Sequence, residues 1–360
     1  MEMKPFFQFD TEALRHSLMA RARQVALSAL QRYDVPWEKI RYIGISDTIT
    51  YKIETGTAEA YLLRIHSDRM SRAEIHSELE FLQALSRSED LSLPIGVASR
   101  EGSYVLEMET EAGYYRPHVT MMRWVDGEHA STAITEDQAY LMGQLMGRLH
   151  KTAADFVPSS AFVRPTWDAD SFRGKMERLE RYHACFLSCE GWEMYQTAAE
   201  KIILSLSKMH TGVHHYGLIH GDLHPSNIVF KDGMPYPIDF GMCGYGFFLY
   251  DMAGALVGLH TKPRRMLIEG YKSVSPLETD YIRDLELFFI MFMIENYCHH
   301  ASDPRETESL IQEQPLAQAY IRAYLKGKSF LLDPIELVTV NHPSQAGDAD
   351  RTNGEQLGDT

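Results

Sequence analysis

The chain has 360 residues, 44% of them hydrophobic, enough for a well-buried core and for two domains rather than one. Its formal charge of −15 creates a field that repels phosphate backbones, which argues against nucleic acid as a partner, although many cytosolic enzymes are this acidic for solubility alone. The four cysteines (Cys185, Cys189, Cys243 and Cys298) form no CxxC pair and are too sparse for a disulfide framework, so they are read as lone buried thiols.

The opening MEMKPFFQFDTEAL has neither a basic n-region nor an apolar h-region, and the most apolar stretch, LELFFIMFMI at 285–294, is too short to span a bilayer. A cytoplasmic protein without membrane association is expected. Residues 10–33 carry Leu14, Leu18, Ala22, Val25 and Leu30 at helical spacing behind a candidate N-cap, Asp10. Strand-like runs follow: KIRYIGIS, ITYKIET and EAYLLRIH, with a hairpin turn at Glu54–Thr57 between the last two. Ser71 and Glu74 are spaced as a capping box for a helix with Leu79, Leu82 and Leu85 on one face. SYVLEME (103–109) and HVTMMRW (118–124) read as two further strands.

From Val125 the texture turns helical. Thr135 and Gln138 form a second capping-box pattern ahead of Met142, Leu145 and Leu149, and helical periodicity returns over 171–187, 191–209 and 279–300. The tail from 341 has almost no apolar residues and reads as disordered. The expected organisation is a small lobe over 1–124, a larger lobe over 125–340 and a tail over 341–360.

The chemistry concentrates in HGDLHPSNIVFKDGMPYPIDFG, from His220 to Gly241. A zinc site fits poorly. His220 and His224 are separated by Asp222 and followed by Pro225, so no helix displays them together, and no cysteine stands close enough to complete a structural site. Phosphoryl transfer fits well. That reaction needs a carboxylate at the attacking oxygen and ligands for a cation on the nucleotide phosphates. His220, Asp222 and Asn227 reproduce H-x-D-x-x-x-x-N, and Asp239-Phe240-Gly241 follows twelve residues after Asn227. The intervening NIVF strand and KDGMP turn form a hairpin that brings Asn227 and Asp239 side by side, where an amide oxygen and a carboxylate can share one hard cation.

The segment HGDLHPSNIVF…PIDFGMCGYGFFLYDMA resembles the aminoglycoside phosphotransferase and choline kinase superfamily, specifically over about 215–256 and more loosely from about 40 to 330. The resemblance implies an α+β, bilobal protein-kinase-like fold, with a small antiparallel-sheet N-lobe bearing one helix and a larger helical C-lobe. It also implies ATP (or GTP) and Mg²⁺ as cofactors, and transfer of the γ-phosphate to the hydroxyl of a small molecule of the aminoglycoside, choline-like, amino-alcohol or sugar class. Asp222 would be catalytic, Asn227 and Asp239 metal-binding, His220 a hydrogen-bonding support for the loop, and Asp251 of Asp251-Met252-Ala253 a tie to the following helix. Arg64 stands where protein kinases carry the β3 lysine, and Glu78 aligns with the helix glutamate that aims it; Glu74 is spent on capping, and Glu80 is a second candidate. An outward-facing, solvated Arg64 is the competing reading.

The nucleotide-covering loop falls at Gly44-Ile45-Ser46-Asp47-Thr48. It lacks the G-x-G-x-x-G pattern, so the Ser46 and Thr48 hydroxyls and backbone amides would meet the phosphates. Adenine would dock near Met122 and Trp124. The acidic balance leans towards a cationic acceptor, and ENYCHH at 295–300 either lines its pocket or is a solvated helix end. Two rival functions share the fold: a protein serine/threonine kinase, and a nucleotide-binding pseudokinase scaffold.

Overall fold

The computed structural model describes residues 3–8, 11–88, 91–130 and 133–335. Helix α1 (Glu12–Leu30) is capped by Thr11, whose hydroxyl accepts from the Leu14 amide; Asp10, the expected cap, lies outside the described residues. Strands β1 (Trp37–Ile45), β2 (Thr48–Thr55) and β3 (Ala60–His66) follow as a meander, and then α2 (Arg72–Leu85). Alternation of buried Ile49, Tyr51 and Ile53 along β2 gives the sheet one face towards α1. The Ser71–Glu74 capping box closes both ways on α2, satisfying two amides that a helix start leaves orphaned. Strands β4 (Gly96–Val97), β5 (Leu106–Glu107) and β6 (His118–Arg123) complete the sheet, ordered β1-β2-β3-β6-β4 with β5 also on β6, all antiparallel.

After β7 (Glu128–His129) the chain becomes mainly helical: α3 (Glu136–Ala154), α4 (Ala169–Leu179) and α5 (Cys189–Leu206). Strands β8 (Tyr216–Ile219), β9 (Ile228–Lys231), β10 (Met234–Pro237) and β11 (Gly244–Phe247) then frame the motif region. They are followed by α6 (Phe248–Val257), α7 (Thr261–Lys272), α8 (Tyr281–His300) and α9 (Thr307–Leu325). The Thr135–Gln138 capping box forms on α3. Helices α3 and α7 touch backbone to backbone at Gly143 and Gly270, where a Cβ would collide with the carbonyl oxygens of Leu267 and Tyr140 respectively.

The apolar residues form two cores. The sheet and α1 share one; the other fills the helical region and takes in Ile75, Phe81, Leu82 and Leu85 of α2. Helix α2 is therefore packed on the helical lobe, although it is threaded through the sheet lobe in sequence. Among the described residues no helix is long and apolar enough to cross a membrane.

Several expectations need correction. The strand expected at 103–109 shrinks to Leu106–Glu107, because Ser103 is engaged locally: its amide donates to Ser99 Oγ and its hydroxyl to the Val105 carbonyl. The helix expected over 171–187 stops at Leu179, where the His183 ring bonds the Glu180 carbonyl and a short tight turn follows. Strands β7, β8 and β11 and helices α7 and α9 are not among the expected elements, although the buried Leu267, Ile268 and Tyr271 of α7 stand at helical spacing. Cys243 and Cys298 are buried as expected, whereas Cys185, which ends a short tight turn, and Cys189, which opens α5, are exposed. The tail over 341–360 lies outside the described residues.

Candidate functional site

Strand β8 ends at Ile219, and the chain turns at Gly221 with φ 80°, a conformation that favours glycine. Space demands glycine as well, since a Cβ there would strike the Met242 carbonyl. Asp251, at the start of α6, holds this turn. Its Oδ2 accepts from the His220 amide and its Oδ1 from the Gly221 amide, both at 2.8 Å. The same Oδ2 faces His150 Nε2 at 3.0 Å, and His150 Nδ1 faces the Tyr271 hydroxyl at 3.0 Å. His220 is fully buried and lies on the Phe240 ring, with centroids 4.3 Å apart. Its Nε2 donates to the Ile238 carbonyl at 2.9 Å, which leaves Nδ1 to accept from the Asp222 amide at 3.3 Å. The histidine is thus spent on shaping the loop.

Asp222 follows, half-buried, at the cleft. Asn227 Nδ2 donates to the Asp222 carbonyl at 2.9 Å and to its Oδ2 at 3.1 Å. Both donors of that amide point at the loop, so its Oδ1 is the atom left to face outward. The β9–β10 hairpin carries the chain back, and the Ile238 amide donates to the Asn227 carbonyl at 2.9 Å. Asp239 therefore emerges beside Asn227. It adopts the left-handed conformation, φ 60° and ψ 70°, a strained state for a non-glycine residue that aims its carboxylate at the cleft. Phe240 anchors the strained point by burying its whole side chain, worth about 1.5–3 kcal/mol.

Beside Asp239 and Gly241, Arg64 of β3 points inward rather than to solvent, with 4% of its side chain exposed. Its Nη1 lies 2.5 Å from Glu78 Oε1 and its Nη2 3.4 Å from Oε2. Burial alone would lower the Arg64 pKa, but the Glu78 and Asp239 carboxylates outweigh it and hold the guanidinium above its ordinary value. Glu74 is used for capping and Glu80 accepts from Ser159, so neither competes for Arg64. Arg164, unremarked in the sequence, clamps this region: its guanidinium donates to the carbonyls of Cys243 and Gly241, both at 2.5 Å, and of Glu74 at 3.1 Å.

Ser46 and Thr48 sit in the tight turn between β1 and β2 and line the same cleft. Met122 and Trp124 do not line it. Met122 is buried in the sheet with its sulfur 3.6 Å from Arg64 Nη1, and Trp124 lies under the Lys52 ammonium at 4.3 Å. The amides of Arg123 and Trp124 already donate to the carbonyls of Ile95 and Ala60.

The cleft has a volume of about 530 Å³, and its far wall comes from α4 and α8. Trp167 and Tyr250 stack at 5.4 Å, and the Tyr250 hydroxyl donates to Glu295 Oε2. Lys175 lies over the Trp167 ring at 4.1 Å and 3.7 Å from Glu295 Oε1. Burial pushes the Glu295 carboxyl above its ordinary range, and Lys175 and Tyr250 pull it part of the way back. The ENYCHH run is thus part of the cleft wall: Glu295 and Cys298 are buried, and Asn296 and His299 face in. No local pattern marks Trp167, Lys175 or Tyr250.

A family described as "Phosphotransferase enzyme family" matches residues 40–281. An uncharacterized protein of Synechocystis is 29% identical over 244 residues, 65% of this chain and 64% of its own length. The amicoumacin kinase of Bacillus subtilis is 23% identical over 246 residues, 64% of this chain and 66% of its own length. The chain thus spans just under two thirds of these relatives. Among solved structures, a microcompartment-associated aminopropanol kinase superposes with a TM-score of 0.73 at 24% identity, covering 86% of this chain and 99% of the other. The amicoumacin kinase hAmiN, solved with AMP-PNP, Ca²⁺ and Ami, gives 0.72 at 18% identity, covering 89% and 98%. The antiparallel N-terminal sheet and larger helical region are the bilobal kinase-like architecture of those neighbours, and with the family match over 40–281 they make this chain a member of the phosphotransferase enzyme family, in the superfamily of aminoglycoside phosphotransferases and choline kinases.

Proposed function

We propose that the protein is an ATP- and Mg²⁺-dependent phosphotransferase that moves the γ-phosphate to a hydroxyl of a small molecule, with GTP as the alternative donor. The observation that carries this reading is the convergence of Asp222, Asn227 and Asp239 on one cleft, with the Arg64 guanidinium beside Asp239 and Gly241. Residues up to 124 form the nucleotide lobe in this reading, and 125–340 the catalytic and acceptor lobe.

The donor set suits magnesium. Among the described residues Asn227 keeps an uncommitted amide oxygen, and the exposed Asp239 carboxylate accepts only a long bond, 3.4 Å, from the Gly241 amide. Two protein oxygens, with phosphate and water oxygens for the rest, match the way this hard ion is usually held. When bound, the ion supplies charge neutralisation on the phosphate oxygens. Arg64, aimed by Glu78, adds a fixed positive charge beside Asp239, and the β1–β2 turn with Ser46 and Thr48 covers the phosphates. Asp222 orients the acceptor hydroxyl. As that oxygen bonds to the γ-phosphorus, the bond from phosphorus to the β,γ-bridging oxygen breaks, the nucleoside diphosphate leaves with the electron pair, and the proton passes to Asp222.

The test pairs nucleotide binding with turnover. Mg-ATP is expected to raise the melting temperature of both wild type and Asp222→Asn, while the variant loses about 10²–10⁴-fold in phosphotransfer. Full phosphotransfer by Asp222→Asn would overturn the assignment, as would a wild type indifferent to Mg-ATP and Mg-GTP.

A further inference from the structure

The acceptor half of the cleft carries charges of both signs on facing helices. Helix α8 supplies Glu295, 4% exposed, whose Oε2 accepts from Tyr250 while its Oε1 is buried without a hydrogen-bond partner among the described residues. A buried carboxylate oxygen left so is costly, and it calls for a donor that arrives with the ligand. Helix α4 supplies Lys175 and, one turn on, Arg178. Lys175 is occupied by the Trp167 face and by Glu295 at ion-pair distance, 3.7 Å, too long for a hydrogen bond. Among the described residues Arg178 hydrogen-bonds only the Ser302 hydroxyl, at 3.1 Å, so most of its fork of donors is open.

These two groups select against acceptors of a single charge. A purely cationic molecule satisfies Glu295 Oε1 but brings like charge up to Lys175 and Arg178. A purely anionic one pairs with Arg178 but leaves the buried oxygen unsatisfied. A molecule with both an ammonium and an acidic group satisfies both helices at once. Cleft volume pushes the same way, because about 530 Å³ must also admit the terminal phosphates of the donor.

We propose that the acceptor is a compact hydroxy-zwitterion, its ammonium taken by Glu295 Oε1, its carboxylate or other acidic group by Arg178, and its hydroxyl presented to Asp222. This rests on the phosphotransferase reading and adds the acceptor class to it. The net charge of −15 pointed to a cationic acceptor; the cleft wall itself is mixed.

The experiment compares kcat/KM for ATP-dependent phosphorylation of four matched probes: a hydroxy-amino acid such as homoserine, the amino alcohol lacking the carboxylate, the hydroxy acid lacking the ammonium, and the neutral diol. The hydroxy-amino acid is expected to lead each single-charge probe by tenfold or more. Glu295→Gln should erase the preference for the ammonium and keep that for the carboxylate; Arg178→Gln should do the reverse, a split that a misfolded variant cannot produce. Equal turnover of the amino alcohol and the hydroxy-amino acid overturns the proposal. So does a loss of both preferences in either variant, or no turnover of any probe by a wild type that is still stabilised by Mg-ATP. A wild type without response to Mg-ATP would instead remove the underlying phosphotransferase reading, and the acceptor with it.

Discussion

Arg64 and Glu78 face each other with almost no solvent between them, 4% and 1% exposed, through contacts of 2.5 and 3.4 Å. The pair joins the two cores: Arg64 belongs to the sheet, and Glu78 to a helix packed on the helical lobe. Relative motion of the lobes must therefore stretch or break it.

Removing one partner strands the other's charge. Glu78→Ala is expected to destabilise the fold by about 3–5 kcal/mol, read as a lowered denaturant midpoint. Arg64→Lys keeps the charge but loses the two-pronged fork, so it should recover only part of the stability and should weaken Mg-ATP binding. Unchanged midpoints in both would contradict the burial.

Asp239 and Asn227 should separate metal binding from folding, because neither side chain is buried. Asp239→Asn and Asn227→Ala are each expected to raise the Mg²⁺ concentration for half-maximal phosphotransfer by tenfold or more, while the melting temperature without nucleotide moves little. Titration of Mg²⁺ at fixed ATP measures it; wild-type Mg²⁺ dependence in both variants would remove them as ligands.

Asp251 satisfies two buried backbone amides with its two oxygens. Asp251→Ala leaves the His220 and Gly221 amides without acceptors, at a cost of about 1–3 kcal/mol each. Denaturant unfolding should show the loss, and crystals of a surviving variant should show the Asp222 loop displaced.

His66 gives the fold an acid limit of its own. Burial first, then the charges of Arg64, His118 and Arg164, holds its pKa well below the ordinary 6.5. The unfolded chain takes up this proton near 6.5 and the folded chain does not, so stability falls as pH drops from 6.5 towards the folded value, by up to about 1.4 kcal/mol per pH unit. His66→Gln should flatten the melting temperature between pH 6.5 and 5. His118, also shifted down but only half-buried, contributes a smaller part. A variant curve that overlays the wild type would show that another group governs this range.

What the sequence determined by itself was local. The capping boxes at Ser71 and Thr135 and the apolar rows of α1–α3 depend on neighbours three or four residues away. The meeting of Asp222, Asn227 and Asp239 depends on one loop and one hairpin inside a 22-residue stretch, which is why their spacing could be read directly. The tertiary structure decided everything that required distant segments to meet. It turned Arg64 inward, where strand alternation left two answers. It spent the Arg123 and Trp124 amides on Ile95 and Ala60, which no pattern near Met122 reveals. It brought Lys175 and Arg178 of α4 opposite Glu295 of α8, more than a hundred residues on, and tied both to the motif through Trp167 and Tyr250. Backbone spacing is set by bonded geometry within a few residues, whereas the acceptor wall is set by which helices pack together, and that is a property of the whole core.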